Sequence, residues 1–296
     1  MSTIISRIFH LQMLVRITKI YYCPVGTDFG EKMNDQLGDR MKTYEERNRI
    51  LLQNRTPVIV RIDGRAFHAF TKGLEKPFDE KLNDAMAETA KYLLDNITGC
   101  VFGYIQSDEI SLLLVDYQNI SSKSWFDNNQ QKIVSLTASM ATAFFNSIFK
   151  HPKKKQLANF DSRAFNIPRE EVVNYFIWRQ QDCTKNSIHM LARAYFTEKE
   201  LHRRTGPEKQ DMLMLQKNVN WNDIPTRYKR GVAVYKVETV VKHMSREEIN
   251  KMIKDKGATH KLLDDGPDDI SIVRNKPHID YEIPILTQDR DFIKGF

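Results

Sequence analysis

The sequence predicts an α+β fold built on one antiparallel sheet of the ferredoxin-like βαββαβ kind. Its helices lie on one face, and a more helical C-terminal half follows. Three observations carry this expectation. Short β-branched apolar runs alternate with longer stretches of helical period, in the order β-α-β-β-α-β across about residues 57–168. The middle two runs are separated by only Ser107, Asp108 and Glu109 or thereabouts, which makes them a tight hairpin. In a sheet with this element order the first and third strands are central neighbours.

Each element has its own signal. "TPVIVRIDG" is apolar and β-branched and predicts a strand from Val58 to Ile62. In "FDEKLNDAMAETAKYLLDNI", Leu82, Ala85, Met86, Thr89, Leu93 and Ile97 recur at helical spacing. "CVFGYIQ" and "ISLLLVDY" are the hairpin strands. "QKIVSLTASMATAFFNSIFK" predicts a second helix with Ile133, Leu136, Met140, Phe144 and Ile148 on one face. Pro152 cannot continue that helix. "FDSRAFNI" is the fourth strand. Beyond it, "REEVVNYFIWRQQDCTKNSIHMLARAYF" is a long amphipathic run, and "TEKELHRRTGPEKQDMLMLQK" gives two shorter helices divided at Gly206-Pro207. A strand returns in "RGVAVYKVE". "SREEINKMIKDKG" predicts a helix with a capping box at Ser245 and Glu248 and a C-terminal cap at Gly257, and "DDGPDD" an exposed loop. The expected division is an N-terminal extension over 1–32, a catalytic sheet domain over 33–168, and a region over 169–296 that completes the same catalytic unit.

Composition narrows the function classes. The chain of 296 residues is 41% hydrophobic and 28% charged, as expected of a globular protein, and carries a net charge of +7. That charge favours an anionic partner, nucleic acid foremost. No apolar run reaches membrane-spanning length, so no membrane partner is expected. Cys23, Cys100 and Cys183 are odd in number and far apart, which speaks against a disulfide framework or a zinc site and fits a reducing compartment. The first 27 residues hold Arg7, Arg16 and Lys19 and no acid before Asp28. This fits an organellar transit peptide and a mitochondrial protein. An upstream start codon, with Met33 as the working initiator of a cytoplasmic protein, fits as well.

The chemistry-bearing residues converge. Asp63 follows the first strand and Asp108 lies at the hairpin, so neighbouring strands bring the acids together across 45 residues of sequence. Two carboxylates beside strands suit Mg²⁺, which binds through few protein oxygens and keeps water or phosphate oxygens as its other ligands. A pair of such ions stabilises the entering and leaving oxygens of a phosphoryl transfer. Gly64 leaves its carbonyl and nearby amides open to a metal or phosphate. Asp108 is the expected direct ligand, with Glu109 either a second ligand or the group that orients one. Arg61, Arg65, His68 and Lys76 lie near Asp63 in sequence and suit a triphosphate. Taken separately, "DG" and "SDE" are also ordinary turn sequences, and the residues alone leave a solvated hairpin open.

Six motifs in order carry a resemblance: "RIDGRAFHAF", "KPFDEKL", "GYIQSDEISLLL", "FDSRAF", "YFIWRQQDCTKNS" and "WNDIPTRYKRG". Together they resemble the tRNA-histidine guanylyltransferase superfamily, the 3′-to-5′ polymerases, and within it the guanylyltransferase-like branch. The resemblance implies a polymerase-like palm, two Mg²⁺ ions, ATP or GTP as the activating nucleotide, nucleoside triphosphates and tRNA as substrates, and a homotetramer. It implies metal binding by Asp63, the Gly64 carbonyl and Asp108, with Glu109 as partner acid. It implies nucleotide binding by Asp63, Gly64, Arg65, Ala66, Phe67 and His68, with Ser107 and Asp108. Lys76 matches a lysine tied to activating the RNA 5′ end, Asp79 a nearby functional acid, and Lys132 a basic residue that holds triphosphate. Arg163, Arg179, Asn186 and the run Lys153, Lys154 and Lys155 are expected RNA contacts, with Trp178 and Arg193 as further candidates.

Two departures matter. Enzymes dedicated to histidine tRNA carry His-Ile-Asn-Asn after the cysteine of the fifth motif. Here Cys183 is followed by Thr184, Lys185, Asn186 and Ser187. That pattern implies template-dependent repair or editing of tRNAs with incomplete or mispaired 5′ ends. The alternative is addition of a single 5′ guanosine to histidine tRNA. Asn128-Asn129 also stands where the eukaryotic guanylyltransferases carry basic residues.

Overall fold

The computed structural model describes residues 36–245, 247–248, 261–264 and 269–296. The N-terminal extension, Gly257 and most of "DDGPDD" lie outside the described residues. Helix α1, Gln36–Glu46, belongs to a unit of its own, residues 1–48. Residues 49–296 form one compact unit.

Within that unit β1 (Val58–Gly64) leads through the short α2 (Phe67–Phe70) to α3 (Glu80–Asn96). The hairpin β2 (Cys100–Gln106) and β3 (Glu109–Leu114) follows, then α4 (Gln130–Ile148) and β4 (Phe160–Asn166). The C-terminal half holds α5 (Arg169–Tyr195), α6 (Glu198–Leu201), α7 (Gly206–Lys217) and α8 (Thr226–Arg230). Strands β5 (Val232–Ser245), β6 (Lys261–Asp264) and β7 (Asp269–Asp280) and the short α9 (Asp291–Lys294) complete it. The strand order is β4-β1-β3-β2-β5-β7-β6, and every neighbouring pair is antiparallel. The first four strands have the expected ferredoxin-like order, and β5 continues their sheet beyond β2.

The sheet is covered on both faces. Val58, Val60 and Ile62 of β1 pack with Ile110 and Leu112 under α3 and α4, beside Met86, Leu93, Ile133 and Phe145. Ile59, Leu113, Phe102 and Tyr104 point the other way and pack against Phe176 of α5. This double burial is why β1 reads as a continuous apolar run rather than an alternating one. The helices between the palm strands do lie on one face, and α5 supplies the other layer. The C-terminal segment is folded onto α5: the Gln180 amide donates to the Pro284 carbonyl at 2.9 Å and accepts from the Leu286 amide at 2.8 Å.

Three local expectations change or sharpen. The buried row of α4 is Ile133, Thr137, Ala141 and Phe145, not the row through Leu136, Met140, Phe144 and Ile148. This helix is apolar on nearly every side, so period alone leaves its inward direction open. Thr137 takes a buried place because its hydroxyl bonds the Ile133 carbonyl and the Ser162 hydroxyl, both at 2.8 Å. Gly206-Pro207 opens α7, behind a capping box formed by Thr205 and Glu208. The Ser245–Glu248 box is present, with bonds of 3.2 and 3.3 Å.

Candidate active site

The hairpin loop consists of Ser107 and Asp108 alone, with Ser107 left-handed at φ 51°. Asp63 stands directly opposite Glu109, and the Gly64 amide donates to the Asp108 carbonyl at 3.1 Å. Strand pairing thus brings the end of β1 and the hairpin together. The chain then turns through Arg65, whose amide bonds the Asn159 carbonyl at 2.8 Å, and the left-handed Ala66 at φ 55°. Gly64 is required by packing: a Cβ there would lie 2.3 Å from the Phe67 ring. Phe67 itself is buried against Phe70, Phe145 and Phe160 and anchors the turn.

The three acids are not equivalent. Glu109 is only 13% exposed, and its Oε2 receives the Arg179 guanidinium at 2.8 Å. Its other oxygen accepts from the Ser111 hydroxyl at 3.2 Å, and Ser111 meets the Tyr175 hydroxyl at 2.9 Å. Glu109 is therefore tied mainly to α5, with Arg61 of β1 a second, looser partner at 4.0 Å. Asp108 has no cationic partner among the described residues, and its carboxyl is pushed up to about 6. Burial is the main cause; the Ser107 hydroxyl, 3.0 Å from Oδ1, pulls the other way, and the nearby Asp63 and Glu109 charges push it further up.

Among the described residues, no three His, Cys, Asp or Glu side chains surround one point. The donors beside the hairpin are two carboxylates, Asp63 and Asp108, and the Gly64 carbonyl. These are hard oxygens, too few for a closed cage, which suits a Mg²⁺ ion that takes its remaining ligands from phosphate and water. The residues fit the ion.

Beyond the hairpin lies a cavity of about 470 Å³, lined among others by His68, Lys76, Asp79, Ser107 and Asn186. One wall is the stacked pair Phe78–Tyr228, with centroids 4.5 Å apart and planes 5° from parallel. Arg227, paired with Glu80 and with Asp84, fixes that wall to α3. Asp79 caps α3, accepting from the Leu82 amide at 2.9 Å and the Glu75 amide at 3.1 Å, and so holds the turn that carries Lys76. Tyr228, Arg227 and Phe78 were not singled out from sequence, although they sit inside "WNDIPTRYKRG" and "KPFDEKL". Nothing local distinguishes them from core aromatics and surface charges.

The remaining expected residues separate by position. Arg65 and His68 are exposed on the turn after β1. Arg179, expected to face RNA, is buried at 5% exposure because it neutralises Glu109. Lys154 donates to the Ala69 and Phe70 carbonyls at the end of α2, while Lys153 and Lys155 are exposed. Arg163 lies on β4 with its side chain 52% exposed. Lys132 is in the first turn of α4, which starts beside the beginning of β1, and makes no contact with Asp63 or Asp108. Asn128 and Asn129 have folding roles: Asn128 is buried and donates to the Asn54 side chain at 2.8 Å, and Asn129 caps α4. Burial pushes the Cys100 and Cys183 thiols up to about 12, which disfavours the thiolate.

Comparison with known proteins shows the family. The family profile described as "Thg1: tRNAHis guanylyltransferase" matches residues 38–168. The tRNA(His) guanylyltransferase of Schizosaccharomyces pombe is 31% identical over 209 residues, covering 64% of this chain and 77% of that protein. A bacterial tRNA(HIS) guanylyltransferase-like protein solved in complex with ATP superposes with a TM-score of 0.72 at 45% identity, over 88% of this chain and 98% of that one. A second such structure, in complex with GTP, gives 0.68 at 42% identity over the same shares of the two chains. By sequence and by fold, the chain belongs to the tRNA-histidine guanylyltransferase superfamily of nucleotidyltransferases.

Proposed function

We propose that the protein is a template-dependent 3′-to-5′ nucleotidyltransferase that repairs or edits the 5′ ends of tRNA. The observation that carries the reading is the meeting of Asp63, Gly64 and Asp108 beside Ser107, which lines a cavity that also holds Lys76. In the first step an oxygen of the RNA 5′-phosphate attacks the α-phosphorus of ATP or GTP. A P–O–P bond forms and pyrophosphate leaves. In the second step the 3′-hydroxyl of an incoming nucleoside triphosphate attacks the activated 5′-phosphorus, and the nucleoside monophosphate leaves. Both are in-line displacements, so one set of positioning groups serves both.

Mg²⁺, held by Asp63, Asp108 and the Gly64 carbonyl, would supply charge stabilisation at the transferring phosphoryl group. The chain's own residues do the rest. Phe78 and Tyr228 give the base of the activating nucleotide an aromatic wall, and Lys76 offers a cation to its phosphates. Glu109 stays with Arg179 and orients the hairpin. The choice of the templated branch rests on the sequence after Cys183, where Thr184 bonds the Lys229 carbonyl at 2.9 Å and Ser187 receives the Trp221 indole at 3.0 Å. Two of the three positions that differ from the histidine-tRNA pattern, which shares Asn186, thus brace the helical half.

A homotetramer and a mitochondrial destination carried by residues 1–32 belong to the same reading. A fluorescent fusion with and without those residues tests the destination. The activity is tested with 5′-monophosphorylated tRNA lacking its first nucleotide, incubated with ATP, Mg²⁺ and each nucleoside triphosphate. Extension of the 5′ end is the expected result. Addition confined to one guanosine on histidine tRNA would favour the function named for the S. pombe relative.

A further inference from the structure

The α5 face of β1 and β4 carries an arrangement that the nucleotide cavity does not use. Side chains alternate along β1, so Arg61 and Asp63 lie on the same face as Ile59, the α5 face. Across β4, Arg163 is directly opposite Arg61 and Asp161 directly opposite Asp63. Arg163 is 52% exposed and has only a loose ion pair with Asp161, at 3.9 Å. The Nε of Arg61 is buried without a hydrogen-bond partner, in a loose ion pair with Glu109 at 4.0 Å, and its side chain is 19% exposed.

Beside these strands stands Trp178 of α5, 50% exposed although it is a large aromatic in an otherwise packed helix. Its ring is fixed. The Arg179 guanidinium lies over it, 3.5 Å from the centroid, and Tyr175 meets it edge-on at 5.8 Å. Tyr175 in turn packs on Phe165 of β4. Arg179 is itself clamped by Glu109. One face of the indole is thus backed by a cation that Glu109 also holds, while half of the residue's surface stays exposed.

We propose that this face seats the 5′ end of the RNA: a terminal base stacks on Trp178, and its phosphates lie over Arg163 and Arg61, which leads the end to Asp63. Aromatic stacking beside arginines binds single-stranded RNA ends irrespective of sequence. The position is separate from the cavity, whose lining includes neither Trp178 nor Arg163. The inference rests on the reading that RNA is the substrate.

The test compares wild type with Trp178→Phe, Trp178→Ala and Arg163→Met. Labelled 5′-truncated, monophosphorylated tRNA is titrated by fluorescence anisotropy and ATP by calorimetry, with thermal unfolding as the folding control. Trp178→Ala should weaken RNA binding by at least about fivefold, and Trp178→Phe, which keeps a ring, by much less. Arg163→Met should lower the salt slope of RNA binding by about one. ATP affinity should be unchanged in all three. RNA binding by Trp178→Ala equal to wild type overturns the inference, as does an equal loss for RNA and ATP. Wild-type protein that binds ATP but no RNA would overturn the substrate reading as well.

Discussion

Arg179 of α5 places its Nη1 2.8 Å from the Oε2 of Glu109, the residue that faces Asp63 across β1 and β3, and both side chains are nearly out of solvent. A buried pair of this kind fixes geometry more than it adds stability, but removing one partner leaves an uncompensated charge. Arg179→Ala should therefore destabilise the fold by about 3–5 kcal/mol. Glu109→Gln in that background should restore part of the loss. Denaturant unfolding of the four corners of this double-mutant cycle measures it. Simple addition of the two single effects would show the pair to be energetically independent.

Asp108 predicts an inverted pH response. Its folded-state carboxyl is raised to about 6 from an ordinary value of 3.8. The folded state therefore holds the proton more tightly than the unfolded chain. Stability from this group is fully present below pH 3.8 and is lost as pH rises through 6. Without metal, Asp108→Asn should stabilise the protein at pH 8 by about 1–3 kcal/mol and have little effect near pH 3.5. Adding Mg²⁺ at pH 8 should raise the wild-type unfolding temperature and leave that of Asp108→Asn nearly unmoved.

Gly64 should resist even alanine. The added Cβ meets the Phe67 ring at 2.3 Å, and that ring is locked by three other aromatics. Overpacking at such a place costs about 1–3 kcal/mol. Because the turn after β1 carries the expected nucleotide contacts, the substitution should also reduce nucleotide transfer at conditions where the protein remains folded. Circular dichroism and transfer assays on the same preparation separate the two effects.

The Phe78–Tyr228 stack should set the affinity for the activating nucleotide. Tyr228→Ala should raise the KM for ATP by about tenfold, on the scale of one lost base–aromatic contact, and leave RNA affinity near wild type. Tyr228→Phe should behave as wild type. A loss confined to kcat would place the stack in the chemistry rather than in binding.

The sequence made some of this legible and hid the rest, for physical reasons. The convergence of Asp63 and Asp108 followed from strand order, because antiparallel neighbours place their ends together whatever the side chains do. The direction of α4 did not follow, because a helix apolar on most sides has no preferred face until its neighbours are known. Arg179 is the clearest limit. From sequence it is a cation beside an aromatic; only the packing of α5 on β3 shows that Glu109 claims it. Lys154 and Asn129 are similar: each has a chemistry-bearing side chain that the fold uses on backbone groups.

The most direct measurement varies the template. A 5′-truncated, monophosphorylated tRNA is prepared in four forms that differ only in the base opposite the missing nucleotide, and each is incubated with ATP, Mg²⁺ and all four nucleoside triphosphates. The account predicts that the added nucleotide changes with the opposing base and that Asp63→Asn and Asp108→Asn abolish addition on every form. Guanosine added to all four forms alike would contradict it.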